Sequence, residues 1–257
     1  MPRQVALIQR AISRADLQHG VSYVSGWESR GHTTFNPRCV VCHHDASNTR
    51  SGNNGALNII IHGRSDVPGP LSQFQIARNG LLWVVASGRA NHAGQGGYRG
   101  LTGNASGFGI EVANNGVGER WSPACLDTYY RLVAALLDEM KQPTIMAPGH
   151  LEWTARKIDP RFSSPQMNMT QFRSIVSRIR GGDMPASDIK KEREIMYKFF
   201  QPDGLNQIWA VSAGGYGFHL TPTLYREMTN GPAMESNVIN RISPAQLRML
   251  TNGAFKG

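Results

Sequence analysis

Two stretches of this sequence hold residue types that bind metals or move protons: "RCVVCHHDAS" at 38–47 and "GHLEWTARKIDP" at 149–160. In the first, Cys39 and Cys42 followed by His43 fit a C-x-x-C-H haem attachment signature, a thiol redox pair, or half of a cysteine zinc knuckle. A fourth reading leaves both cysteines incidental and makes one histidine of the His43 and His44 pair functional. In the second stretch His150 and Asp159 stand nine residues apart, with Lys157 two before the aspartate and Pro160 directly after it. That separation lets a loop fold back so that imidazole and carboxylate meet at one metal ion. A surface histidine and a separate, salt-bridged aspartate are the alternative.

The elements that carry these residues narrow the choice. If "RCVVCH" is a strand, each residue advances ~3.3 Å, so Cys39 and Cys42 lie ~10 Å apart on opposite faces. Two sulfurs so placed share neither a metal nor a disulfide. They read as buried strand cysteines. His43 and His44 also point to opposite faces, so one of them looks into a site while the other packs elsewhere. Haem attachment requires export, and the first twenty residues lack a signal-peptide core; Val5, Ile8, Ile12 and Ala15 fall instead at helical spacing.

Further apolar runs predict strands at "LNIIIH" (57–62), "FQIA" (74–77), "LLWVVA" (81–86) and "FGIEVA" (108–113), most of them bounded by Gly, Asn or Pro. "SPACLDTYYRLVAALLDEMKQ" predicts a helix with Ser122 as N-cap and Pro123 at its first position. A short strand is expected at "TIMA" (144–147). A last helix is expected over Thr170 to Arg180, with Phe172, Ile175, Val176 and Ile179 on one stripe. This mixture predicts an α/β fold, a mixed central β-sheet flanked by helices, over residues 1–183. "RGGDMPASD" marks its end, and 184–257 is expected to form a small C-terminal α+β module. There "PDG" and "GGYG" turns break short strands, and "SPAQLRML" caps a short helix. Trp209, Tyr216, Phe218 and His219 fit either a sugar-stacking platform or the core of a small module.

Composition removes other classes. The 257 residues, 40% apolar and 18% charged, are enough for a full core, with no internal repeat. No stretch approaches the ~18 to 20 apolar residues that span a bilayer, so membrane insertion is not expected. A net charge of +9 favours an anionic partner such as nucleic acid, an acidic membrane surface or a wall polymer. Nucleic acid is disfavoured because the basic residues are scattered and the densest run, "KKERE", mixes both signs. Three cysteines, Cys39, Cys42 and Cys125, imply no disulfide framework.

Three separated segments occur together and in order: "VCHHDA" (41–46), "NASGFGIE" (104–111) and "GHLEWTARKIDP". They resemble the V-x-H-H-x-A, N-x-x-S-x-G-I-E and G-H-x(6)-K-x-D-P motifs of the zinc-dependent N-acetylmuramoyl-L-alanine amidases. That amidase type 2 family is shared by phage endolysins, wall-recycling amidases and peptidoglycan recognition proteins, and the resemblance spans roughly Arg38 to Phe162. It implies one Zn2+ per chain, held by His43, His150 and Asp159, with a fourth position for water. It further implies Glu111 as the base that activates the water and Lys157 as the cation that faces the oxyanion. His44 is then structural, and "ANHAGQGG" (90–97) is similar to a cleft loop, which makes His92 a substrate contact. Two departures stand out: Ser72 occupies the place where many members carry a tyrosine, which shifts weight to Glu111, and the third ligand is Asp159 where cysteine is frequent.

The implied activity is hydrolysis of the amide bond between N-acetylmuramic acid and L-alanine in peptidoglycan. The implied setting is a phage endolysin, made in the host cytoplasm without a signal peptide and acting on the cell wall after holin-type release. Its partners are peptidoglycan and anionic wall polymers, with the C-terminal module as a wall-binding appendage. A non-catalytic peptidoglycan-binding protein and a virion-associated wall-degrading protein are the alternatives.

Overall fold

The computed structural model describes residues 3–163 and 165–181, together with the backbone of four strands within 197–242. The chain divides into two compact units, Met1–Pro185 and Ala186–Gly257. The first is built on five strands: β1 (Val21–Tyr23), β2 (Cys39–Cys42), β3 (Phe74–Ile76), β4 (Leu82–Val84) and β7 (Gly107–Val112). Their order is β1-β4-β3-β7-β2, with β3 and β4 antiparallel and the other pairs parallel. Two short hairpins, β5 (Gly97–Tyr98) with β6 (Leu101–Thr102) and β8 (Phe162–Ser163) with β9 (Gln166–Met167), stand apart from it. The α/β class with a mixed central sheet is the one the sequence predicts.

Helix α3 (Pro123–Glu139) is the centre of the packing. Ser122 caps it by accepting the Cys125 N–H at 3.0 Å, and nearly every residue from Cys125 to Leu137 is buried. A helix buried on all its faces, its internal Arg131–Asp127 ion pair included, must be covered on several sides. It lies on the sheet, and α1 (Val5–Ala15) and α5 (Met169–Gly181) pack on it through Ile8, Ala11, Phe172 and Val176. The Tyr129 ring of α3 sits edge-on to Phe172, and its hydroxyl donates to His43 O at 3.1 Å, so the helix bundle is tied directly to the end of β2.

Two local expectations are corrected. Residues 57–62 form a helix, α2 (Leu57–His62), where the sequence suggests a strand. A run of three isoleucines has no period of its own, so β-branched composition argues for a strand while the flanking groups decide otherwise. Ala56 N–H donates to Asp45 Oδ2 at 2.8 Å at the start, and Gly63, with φ 87°, donates to Ile59 O at 2.7 Å at the end. Only Ile60 is buried, and Ile59 is 46% exposed. Likewise Thr144–Met146 is a 3-10 turn begun by Pro143, not a strand. The sheet pairing expected there occurs a few residues later, where Cys42 N–H donates to Pro148 O at 2.9 Å and Cys42 bridges Gly149 in parallel.

In the second unit β10 (Tyr197–Pro202), β11 (Ile208–Ser212), β12 (Gly217–Leu220) and β13 (Asn240–Ile242) form a sheet in the order β12-β11-β10-β13. The pairs β10–β11 and β11–β12 are antiparallel and β10–β13 is parallel. The expected turns and the helix at 243–250 fall outside the described residues, as do Tyr216 and the side chains of Trp209, Phe218 and His219, the last three of which stand on β11 and β12.

Candidate metal centre and active site

Side-chain alternation along β2 sorts the residues of "CVVCHH". Cys39 and Val41 face a cluster with Ala93, Leu101 and Trp153, whereas Cys42 faces Tyr129 of α3. The two thiols are free and buried, and burial pushes each up to about 12, so they stand as inert packing groups. His43 continues the first face. His44 continues the second, and its Nδ1 accepts the Arg161 N–H at 3.0 Å. That bond anchors the chain two residues beyond Asp159. On the adjacent strand Gly107 and Gly109 leave the same face open: a Cβ at Gly107 would meet Cys39 Sγ at 2.7 Å, and one at Gly109 would meet the His92 ring at 2.6 Å.

The remaining two residues of the centre come from α4 (His150–Trp153) and the loop after it. Edge pairing of Pro148 and Gly149 on β2 sets His150 beside His43. The Glu152 carboxylate accepts from Gly149 N–H at 2.9 Å and from the Arg173 guanidinium at 2.7 and 3.0 Å, which fastens α4 to α5. Leu151 N–H donates to Asp159 O at 2.7 Å, closing the loop. As a result His43 Nδ1, His150 Nδ1 and Asp159 Oδ2 converge: 3.0 Å between the two nitrogens, and 2.9 and 3.0 Å from each to the carboxylate oxygen.

The outward partners of the rings fix what these atoms are. Gly107 O, which can only accept, lies 3.0 Å from His92 Nε2, so Nε2 carries the hydrogen and the neutral ring keeps a lone pair on Nδ1. That lone pair accepts from His43 Nε2–H at 3.2 Å. His150 Nε2–H donates to Ala93 O at 3.2 Å. Both Nδ1 atoms therefore present lone pairs to each other and to a carboxylate, an arrangement that a cation completes. A tetrahedral zinc with bonds of about 2.0–2.1 Å spaces its donors about 3.3 Å apart, so a few tenths of an ångström of opening admits one. The residues fit a zinc ion, and these three are the ones that would hold it.

Electrostatics agree with this set. Burial holds His43 down to about 4, so it stays neutral and able to bind metal at pH 7. Glu111, on β7, places Oε1 3.9 Å from His43 Nδ1, while its Oε2 is buried without a hydrogen-bond partner. Burial, followed by the Asp159 charge, pushes Glu111 well above the ordinary carboxylate range.

A cleft of about 680 Å³ opens onto this centre, and Glu111, His150, His92 and Lys157 line it together with Arg64 and Arg89. Lys157 is exposed. His92 is 8% exposed, and both of its ring nitrogens are engaged with His43 and Gly107, so its polar atoms serve the metal site from behind. Ser72 is fully buried, and Leu71 rather than Ser72 borders the cleft. Sequence reasoning gave no role to Asn104, the first residue of "NASGFGIE"; its side chain braces the loop that carries His92.

A family model described as N-acetylmuramoyl-L-alanine amidase matches residues 33–162, about half of the chain. The chain belongs to this amidase family. The match takes in His43, His92, Glu111, His150, Lys157 and Asp159, and the amidase is thus an enzyme of peptidoglycan chemistry. Among solved structures it is similar to AmpD, at 20% identity and a TM-score of 0.45, over 63% of this chain and 97% of that one. It is similar to the endolysin amidase LysCS of Clostridium intestinale, at 18% identity and a TM-score of 0.45, over 61% and 95% of the two chains. It is also similar to the E. coli amidase AmiD in complex with anhydro-N-acetylmuramic acid-L-Ala-D-γ-Glu-L-Lys, at 17% identity and a TM-score of 0.43, over 57% and 59%. No curated protein matches it.

The environment of Glu111 yields a stability prediction for the metal-free amidase. A carboxyl whose folded pKa is raised contributes stability that is fully present below its unfolded value, about 4.3, and is lost as pH rises towards the folded value. Glu111→Gln mimics the protonated acid and escapes that loss. The variant should therefore melt higher than wild type at pH 7 in the presence of chelator, with the gain shrinking as pH falls towards 4. A gain that is the same at both pH values would contradict the assignment.

Proposed function

We propose that the amidase cleaves the bond between N-acetylmuramic acid and the L-alanine of the stem peptide, with one zinc ion held by His43, His150 and Asp159. The observation that carries this reading is the convergence of three lone-pair atoms beside the unpartnered carboxylate of Glu111 in one cleft. Zinc bound there supplies Lewis acidity and lowers the pKa of a water ligand towards ~7. Glu111 would act as the base that takes the proton of the attacking water, and its raised pKa would let it hold that proton and return it to the departing amine. The Lys157 ammonium, on the cleft wall, balances the negative charge that develops on the carbonyl oxygen. Asp159 in place of a thiolate gives a harder ligand that does not oxidise.

We further propose that the biological role is that of a phage endolysin, acting on the wall after release from the cytoplasm, with residues 184–257 as a wall-binding module. The net charge of +9 supports approach to an anionic wall polymer. Ending the chain at Gly182 should preserve zinc content and cleavage of soluble muropeptides and weaken binding to sacculi. Equal retention by both forms would contradict targeting.

The activity is tested by mass spectrometry of products from purified peptidoglycan. Stem peptides with a free N-terminal L-alanine are expected, abolished by chelation and restored by stoichiometric zinc; fragments with that amide intact and a sugar bond cut would refute the reading. At equal zinc occupancy Glu111→Gln should lower kcat by ~10² to 10⁴-fold and Lys157→Met by ~10² to 10³-fold. Near wild-type turnover in Glu111→Gln would put the base elsewhere.

A further inference from the structure

Both metal histidines take their outward hydrogen-bond partners from one tripeptide, residues 92–94. His92 Nδ1 accepts from His43, and Ala93 O accepts from His150. A single side chain grips that tripeptide: Asn104 Oδ1 accepts the N–H groups of His92 at 3.1 Å, Ala93 at 2.8 Å and Gly94 at 3.1 Å. Three successive N–H groups converge only where the backbone curls, and Gly94 supplies the curl with φ 60°. Asn104 itself opens the 3-10 turn Asn104–Ser106 that runs straight into β7, the strand of Gly107, Gly109 and Glu111. Gly107 O then orients the far side of the His92 ring, and the bare Gly109 gives that ring its seat. One short stretch of chain thus references both ligand tautomers to the strand that carries the base.

We infer that Asn104 is a positioning residue for the metal site, whose carboxamide oxygen holds residues 92–94 so that His43 and His150 both present Nδ1 to one ion. The inference rests on the reading of His43, His150 and Asp159 as zinc ligands. Asn104 borders the cleft but bonds to none of the three metal-site residues, and its effect on them passes through His92 and Ala93. An acceptor oxygen is what the position requires, so aspartate should serve and leucine, of similar size, should not.

The test uses the full chain as wild type, Asn104→Leu and Asn104→Asp, with two readouts. Zinc affinity is measured by competition with a chromogenic chelator. Histidine tautomers are read by long-range ¹H–¹⁵N correlation in chelator-treated protein, which needs no metal. Asn104→Leu should bind zinc ~10- to 100-fold more weakly, the range expected when an outer partner of a ligand is lost, while Asn104→Asp stays within about 3-fold of wild type. His43 and His150 should be Nε2–H tautomers in wild type and Asn104→Asp and lose that uniformity in Asn104→Leu. Wild-type affinity with unchanged tautomers in Asn104→Leu would overturn the inference. A wild-type chain that binds no zinc would refute the ligand reading instead, and the tautomer signals would still decide the role of Asn104. Should Asn104→Leu not fold, His92→Phe puts an apolar ring, slightly larger than imidazole, in the same seat and removes the hydrogen-bonding nitrogens: it should weaken zinc by the same ~10- to 100-fold and disturb His43 but not His150, and unchanged affinity would overturn the inference.

Discussion

Three hydrogen-bond acceptors facing one another at about 3 Å inside a protein repel unless a cation or a proton lies between them. That constraint is built in at His43, His150 and Asp159, because both imidazoles have already spent their N–H groups on outward partners. Tying the hydrogens outward makes the apo site electrostatically unsatisfied and a metal-loaded one satisfied. The free energy lost in the empty site becomes metal affinity when the ion enters.

The rest of the fold serves to hold those three atoms where they repel. The alternation of β2 sends His43 to the site and His44 to the loop beyond Asp159. Edge pairing of Pro148 and Gly149 on β2 brings α4 alongside, and the ion pair of Arg173 with Glu152 keeps it there. From the other face, Tyr129 of the buried α3 fixes the His43 carbonyl. Glu111 adds a second unfavourable feature, a carboxylate with a buried unpartnered oxygen next to another carboxylate. Stability is given up at the residues that do chemistry, and the α3-centred core offsets it.

Much of this was legible in the sequence because local chemistry and burial agreed. Ser122 and Pro123 mark the start of α3, and the continuous apolar run of "CVVC" matches a strand covered on both faces. The motif resemblance groups His43, Glu111, His150, Lys157 and Asp159; in the structure His43, His150 and Asp159 converge, and Glu111, His150 and Lys157 line the adjoining cleft. Residues 57–62 were not legible, since their β-branched content favours a strand and only the Asp45 and Gly63 bonds at either end make the helix. His92 lines the cleft, but the bonds of its ring nitrogens to His43 and Gly107 were not legible, because the path of loop 90–97 depends on backbone hydrogen bonds to Asn104 that no side-chain pattern announces. A polar side chain that acts on backbone N–H groups leaves little trace in sequence spacing.

The central claim is that two imidazole nitrogens and one carboxylate oxygen, with no sulfur, make up the protein's share of the metal site. Zinc K-edge X-ray absorption of the zinc-loaded full chain measures this directly. The account predicts a first shell of nitrogen and oxygen at about 2.0–2.1 Å, with the outer-ring scattering of two imidazoles. A sulfur scatterer at about 2.3 Å would bring Cys39, Cys42 or Cys125 into the site and contradict it.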